Sequence, residues 1–363
     1  MTAGFFSPMP PARTGVADYS AALYAAMRAQ GDIRLNQPAA ARLYHIGNNA
    51  LHGDIYRRAL AEPGVVVLHD AVLHHFLLGA LDEESYIEEF VYNYGPWNAG
   101  LAERLWRNRA RSASAAIYFD HPLLRRIVET SRAVIVHNPA AARIAARHAP
   151  AARIHVIPHL FIEGPQPAAY EVVRLRASLG LRPSDTLFGV FGHLRESKRL
   201  AAILEAFRRL RDPRAALLIA GEFVSSDLAR AMSQQLTGPH IHRVGYTPER
   251  TFWRYAHAVD VCLNLRYPTA GETSGIAVRL MGIGKPVLVT AGDETAAIPE
   301  AAAVRVDPGL AEIDMLSDLM RWLSRFPSDR HAIGARAQHH IARCHAASTV
   351  AAEFWRILAE SHA

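Results

Sequence analysis

Short β-branched apolar runs alternate along the chain with longer stretches in which apolar positions recur every three or four residues. A strand buried on both faces reads as a continuous apolar run, and returning to a parallel neighbour requires a crossover helix. The alternation therefore predicts βα units and parallel sheets, an α/β fold. In the first half, residues 43–46, 65–68 and 134–136 read as buried strands. Between the last two lies a helical stretch over roughly 83–129, too long for a simple crossover and read as an insertion covering one end of the sheet. The segment PHLFIEGPQPAAY, 158–170, combines prolines and a glycine without periodicity and marks a boundary. Beyond it, 186–191, 216–220, 240–244, 259–265 and 286–290 read as strands. A helix over 200–210 has apolar residues at 200, 203, 204, 207 and 210, another begins near Ser274, and the last 35 or so residues are helical.

Composition narrows this picture. With 363 residues, half of them apolar and a fifth charged, the chain suits two globular domains of ordinary size. No apolar run approaches the ~20 residues of a membrane-spanning helix. The start, MTAGFFSPMPPARTG, lacks the basic region and apolar stretch of a secretory signal. Two cysteines, Cys262 and Cys344, exclude a disulfide framework and fit a reducing compartment, so a cytoplasmic location is expected. The net charge of +6 gathers in part at Arg104, Arg107, Arg109, Arg111, Arg125 and Arg126. No recognition module or run of stacking aromatics accompanies these arginines, so nucleic acid is not expected as a partner. An anionic acceptor, peripheral contact with an anionic inner-membrane face, and a plainly solvated surface all fit. Of the 40 basic residues only Lys198 and Lys285 are lysine, and a compact ammonium is not interchangeable with a planar guanidinium.

Several segments carry candidate chemistry. In FGHLRESKRL, 191–200, a strand ends, Gly192 follows, and a basic loop leads into a helix whose first turn is expected to hold Lys198 and Arg199. Open α/β sheets bind ligands at the carboxyl ends of their strands and helix N-termini favour anions, so Lys198 is placed to hold a diphosphate. In LRYPTAGETSGIAVRLMGIGKPVLV, 265–289, a strand and a turn lead into a helix at Thr273, Ser274 and Gly275, whose backbone N–H groups and hydroxyls make a phosphate cradle. Glu272, at its mouth, is disfavoured beside an anion unless it meets something else, such as sugar hydroxyls; the plain reading is a helix-capping acid. GIGKPV precedes a strand rather than following one, and its lysine is followed by proline, so Lys285 reads as structural. Gly15 lies in a loop before an amphipathic helix, where it either admits a ligand or caps the helix. His69 and Asp70 end a buried strand and form a candidate polar pair. His74 and His75 lack the i, i+4 spacing of helical zinc ligands, and no D-x-D occurs, so neither a metal nor a cofactor is expected.

In order and spacing these segments resemble glycosyltransferase family 4, the retaining enzymes of GT-B fold, over most of the chain. SPMPPARTGVADYS resembles the family's N-terminal glycine loop, VIVHNPAAARI its last N-domain strand and helix, and RIHVIPHL the entry to its linker. GHLRESKRL resembles the G-R-L-x-x-x-K loop, and PTAGETSGIAVRLMGIGKPVLV the segment of the E-x7-E signature. The resemblance implies two Rossmann-like domains with parallel sheets facing a central cleft. It places an acceptor-binding domain at 1–165, a nucleotide-sugar domain at 166–345, and a helix over 346–363 that crosses back to the N-domain.

By the same resemblance Lys198 contacts the donor diphosphate, Glu272 the transferred sugar, and the amides of Thr273, Ser274, Gly275 and Ile276 the phosphates. Gly192, His193 and Arg199 belong to the phosphate loop, and Tyr246 falls where the family holds the base. His69 matches the histidine near the reacting sugar, while Gly15 and Asp70 lie on the acceptor side. Two departures stand out: His193 replaces the loop arginine, and the second Glu falls at Leu280 or Arg279. The implied reaction is metal-independent hexose transfer, with retention, from a nucleoside-diphosphate sugar to a glycan, lipid-linked or other hydroxyl acceptor, as in polysaccharide biosynthesis. A hydrolysing nucleotide-sugar epimerase of the same fold and a non-catalytic partner subunit are the competing readings.

Overall fold

The computed structural model describes residues 1–362 and divides into two compact units. The first comprises Met1–Leu160, Pro268–Thr273 and the chain from His345; the second comprises Phe161–Tyr267 and Ser274–Cys344. The loop Pro268–Thr273, which a linear division leaves in the C-terminal domain, thus folds with the first unit. The reason is visible in its bonds: Ala270 O accepts from Ala71 N at 2.7 Å, and Gly271 O from the Asn138 amide at 2.9 Å.

The first unit holds a six-stranded, all-parallel sheet. Its strands are β1 (Thr2–Phe6), β2 (Asp32–Leu35), β3 (Ala41–Ile46), β4 (Val65–Leu68), β5 (Ala133–Val136) and β6 (Ile154–Val156), in the order β2-β1-β3-β4-β5-β6. Successive side chains point to opposite faces, which divides each apolar strand between two cores. Tyr44, Ile46, Val66, Leu68, Val134 and Val136 face one core; Leu43, Val65, Val67, Ala133 and Ile135 face the other. The second core also takes Val350, Phe354 and Leu358 from the last helix, Ala347–His362.

The stretch over 83–129 is not one long helical arm. It forms the helices Glu83–Tyr94 and Ala99–Arg107, broken at Gly95 and Pro96, then short turns, then the helix Arg125–Thr130 after Pro122. Tyr86, Phe90, Leu105 and Tyr118 pack into the core of Tyr44 and Val66, so the segment covers a sheet face rather than an end.

The second unit repeats the plan with β7 (Thr186–Phe191), β8 (Ala215–Ala220), β9 (Ile241–Val244), β10 (Val261–Asn264), β11 (Val287–Thr290) and β12 (Val304–Val306). Their order is β12-β11-β10-β7-β8-β9, again all parallel. The order reverses at β7, which lies between β8 and β10. Connections on the two sides of such a switch point leave in opposite directions and open a crevice at the strand carboxyl ends. The loops after β7 and β10 therefore flank that crevice. Strands β1, β2, β6 and β12 are not evident as apolar runs; β2, β6 and β12 are sheet edges, and β1 is built partly of Ala3 and Gly4.

Candidate functional site

The loop after β7 begins at Gly192, whose φ of 81° suits glycine. A Cβ there would lie 3.2 Å from Lys198 Nζ and 3.7 Å from Ile276 Cγ1, so the backbone, the ammonium and the start of the helix Gly275–Gly282 meet at one point. Lys198 is buried and donates to Phe191 O, the last carbonyl of β7. Its charge is also felt by the Cys262 thiol, although burial dominates there and pushes that group up to about 12.

Lys198 is not in the first turn of the following helix. It closes the short turn Glu196–Lys198, and Arg199 is a left-handed cap (φ 57°) before the helix Leu200–Leu210. Arg199 is also drawn away from the loop. Its guanidinium closes on Glu312, a carboxylate only 1% exposed, with Nε 3.0 Å from Oε2, and that hydrogen bond holds the arginine above its usual range. Its charge is therefore matched by Glu312, a residue without any sequence signal of its own. His193 follows Gly192 in the loop.

On the β10 side, Ser274 caps the helix Gly275–Gly282: its Oγ accepts from Ala277 N at 3.3 Å and donates to Asn264 Oδ1 at 3.2 Å. The first N–H groups of the helix, at Gly275 and Ile276, precede any intrahelical partner. Arg266 reaches Ser274 Oγ through Nη2 at 3.4 Å. Asn264 and Arg266 were missed in the sequence; the visible signal is a polar residue ending the otherwise apolar run VCLN. Arg279, one turn further on, pairs with Glu249 and lies over Phe252 and Trp253, 4.7 and 5.0 Å from their ring centres. Tyr246 is exposed in the loop after edge strand β9, two strands from β7. Lys285 donates to His257 O at 2.8 Å, and burial pulls it below its usual range.

In the first unit, the turn carrying Glu272 is held from both ends. Glu272 Oε2 accepts from Ala270 N at 2.8 Å and Thr269 Oγ1 at 3.3 Å, folding the carboxylate onto its own loop. Gly271 has φ 71°, and a Cβ there would come within 2.8 Å of Ala71 Cβ. The buried Asn138 donates to Gly271 O and, at 3.0 Å, to Thr273 Oγ1, while its Oδ1 accepts from Ala141 N at 2.8 Å and caps the helix Pro139–His148. Asn138 stands in VIVHNPAAARI, and nothing local in the sequence marks its hold on the turn.

The strand ends of this unit hold a cluster of rings. His69, just after β4, lies with its Nε2 3.0 Å from His45 Nδ1. Tyr19 and His137 stand against His69 with ring centres 4.9 and 5.2 Å away. Burial lowers His69 and His45 well below the usual histidine range, with nearby His137 adding to it, and brings His137 to about 4. These rings are neutral near pH 7 and act as hydrogen-bonding groups. Asp70 accepts from Asn48 N at 2.8 Å. Gly15 opens the helix Gly15–Arg28 behind its cap Thr14, and nothing lies within 4 Å of where its Cβ would be. His74 is bonded to His121 O and, at 2.7 Å, to Tyr86 OH; His75 is bonded to Ser112 O at 2.8 Å.

Residues 173–340 match the family described as glycosyl transferases group 1. No curated protein matches the chain in sequence. Among solved structures, Anabaena HepE in complex with UDP-glucose is similar over 99% of this chain and 100% of that one, at 14% identity and a TM-score of 0.68. Sucrose-phosphate synthase from Thermosynechococcus elongatus is similar over 99% and 98%, at 15% identity and 0.69. WaaG, a glycosyltransferase involved in lipopolysaccharide biosynthesis, is similar over 98% and 99%, at 13% identity and 0.63.

Proposed function

We propose that the protein transfers a hexose from a nucleoside-diphosphate sugar to a hydroxyl acceptor, with retention of anomeric configuration, a reading supported by the match of residues 173–340 to the glycosyl transferases group 1 family and by the GT-B fold of the chain. The observation that carries this reading is the meeting of Lys198 Nζ, Gly192 and Ile276 at the switch point of the second sheet. An ammonium and helix N–H groups fixed before the reaction stabilise charge as it develops, without reorganising.

In this mechanism the bond between the sugar C1 and the phosphate oxygen breaks, and its electron pair stays on the phosphate. Lys198 and the amides of Gly275 and Ile276 meet the growing negative charge. The acceptor hydroxyl attacks C1 from the face the phosphate leaves, and its proton passes to a phosphate oxygen, so no protein base takes part. Glu272 orients the sugar through its hydroxyls. His69, neutral for the reasons given above, contacts a sugar oxygen. A fixed cation in place of a D-x-D motif supports transfer without a divalent metal. The acceptor is assigned as a glycan or lipid-linked hydroxyl, with the arginine-rich 104–126 segment as the surface for an anionic membrane.

The test is incubation with UDP-, GDP- and dTDP-sugars and an extracted glycan and lipid acceptor pool, with EDTA present. UDP-glucose is the first donor to try, since HepE is seen with it. The expected result is nucleotide release that depends on acceptor, with the product anomer matching the donor by NMR. Epimerised free sugar, or nucleotide binding without turnover, would overturn the reading.

A further inference from the structure

His69 is gripped by a second histidine whose part in the reaction the mechanism above leaves open. His45 lies in β3, its Nδ1 is 3.0 Å from His69 Nε2, and the two rings stack with centres 5.3 Å apart. One proton lies between these nitrogens, and the geometry decides which ring owns it. The other nitrogen of His45, Nε2, is buried with no hydrogen-bond partner. Were His69 the donor, neutral His45 would carry its own proton on Nε2, as a buried N–H with nothing to receive it. With His45 as donor, Nε2 keeps only an unmatched lone pair. An orphaned buried N–H is the rarer and costlier of the two. The ring of Phe5, centred 4.5 Å from that of His45, adds an apolar neighbour rather than an acceptor.

We propose that His45 is a positioning residue that donates from Nδ1 to His69 Nε2 and so fixes His69 in its Nδ1–H tautomer. The nitrogen that His69 keeps for the ligand is then a hydrogen-bond donor, suited to a sugar oxygen and unable to take a proton from the acceptor. His69 keeps part of its surface accessible, whereas His45 is fully buried. The inference rests on the reading of His69 as a sugar contact. It also restricts that reading: His69 binds and does not act as a base. Hydrogen-bonding one ring nitrogen to dictate the state of the other is a general way of setting histidine chemistry.

The tautomer can be read without turnover. In protein labelled with 15N-histidine, long-range 1H–15N correlation spectra, with the His69→Ala spectrum identifying the resonances, are expected to show a protonated Nδ1 and a bare Nε2 at His69. The reverse pattern overturns the proposal. Two variants then test the consequence. His45→Phe keeps a ring of similar size and removes the donor; kcat is expected to fall about tenfold, with nucleotide affinity changed less than about twofold. His45→Asn places an amide N–H near the lost donor and is expected to return kcat to within about threefold of wild type. An unchanged kcat in His45→Phe, or no recovery in a folded His45→Asn, counts against the proposal. If the wild type releases no nucleotide from any donor, the transferase reading fails, while the NMR result still judges His45 alone.

Discussion

The two sheets share a plan and differ in what they place at their strand ends. In the first unit the carboxyl ends of β3, β4 and β5 gather His45, His69 and His137 around Tyr19, all uncharged near pH 7 because burial penalises the charged form. In the second, the ends of β7 and β10 carry Lys198 and the first amides of a helix. A neutral, hydrogen-bonding surface suits hydroxyl groups; a fixed cation suits phosphate. Parallel topology thus provides a location, and the loop residues decide which chemistry occupies it.

This contrast can be broken in four places. Acid should damage the first unit most. His52, buried and bonded through Nδ1 to His45 O at 2.9 Å, and His137 both sit near 4 against an ordinary 6.5, so the unfolded chain binds more protons between those values. Stability is complete above about pH 6.5 and falls as the pH drops toward 4, each group contributing roughly 3 kcal/mol. Urea denaturation across this range measures the slope; a flat profile would refute the burial of neutral rings. Arg199→Ala should come next, since it leaves buried Glu312 without its partner, at a cost of about 3 kcal/mol. The loss should appear in the melting temperature, with nucleotide affinity nearly unchanged; weakened binding without destabilisation would return Arg199 to the diphosphate.

Lys198→Ala should lower kcat/KM about 100-fold, the scale of losing one fixed donor to developing charge. Equal donor affinity and turnover would remove Lys198 from the site. The smallest effect is expected for Asn138→Asp. This variant keeps the Oδ1 that caps its helix and replaces the amide that donates to Gly271 O and Thr273 Oγ1. A fall in kcat of about tenfold with a melting temperature within a few degrees is expected; a large melting shift with normal kcat would make the residue a cap alone.

Local signals were readable because their causes are local. The apolar runs ending at Ile46, Leu68, Phe191 and Thr290 mark interior strands, and Gly192 with Lys198 stands where a strand gives way to a helix. What escaped depends on distance along the chain. Arg199 and Glu312 are 113 residues apart in sequence and meet only in the folded chain. The bond between His45 and His69 joins two adjacent strands whose register no periodicity specifies. Edge strands such as β12 escaped for another reason: one side faces solvent, so polar residues interrupt the run.

The loop Pro268–Thr273 makes neither unit a continuous stretch of gene. The chain passes between the units at 160, 267, 273 and 344, so one cut cannot excise either of them whole. A recombination that imported a new second unit would bring in this six-residue loop with it, and the loop would then have to find its own equivalents of Ala71 and Asn138. Exchange of the second unit between proteins of this fold is therefore constrained at a few hydrogen bonds, and successful chimaeras should keep the resident loop or carry position 138 along with the imported one.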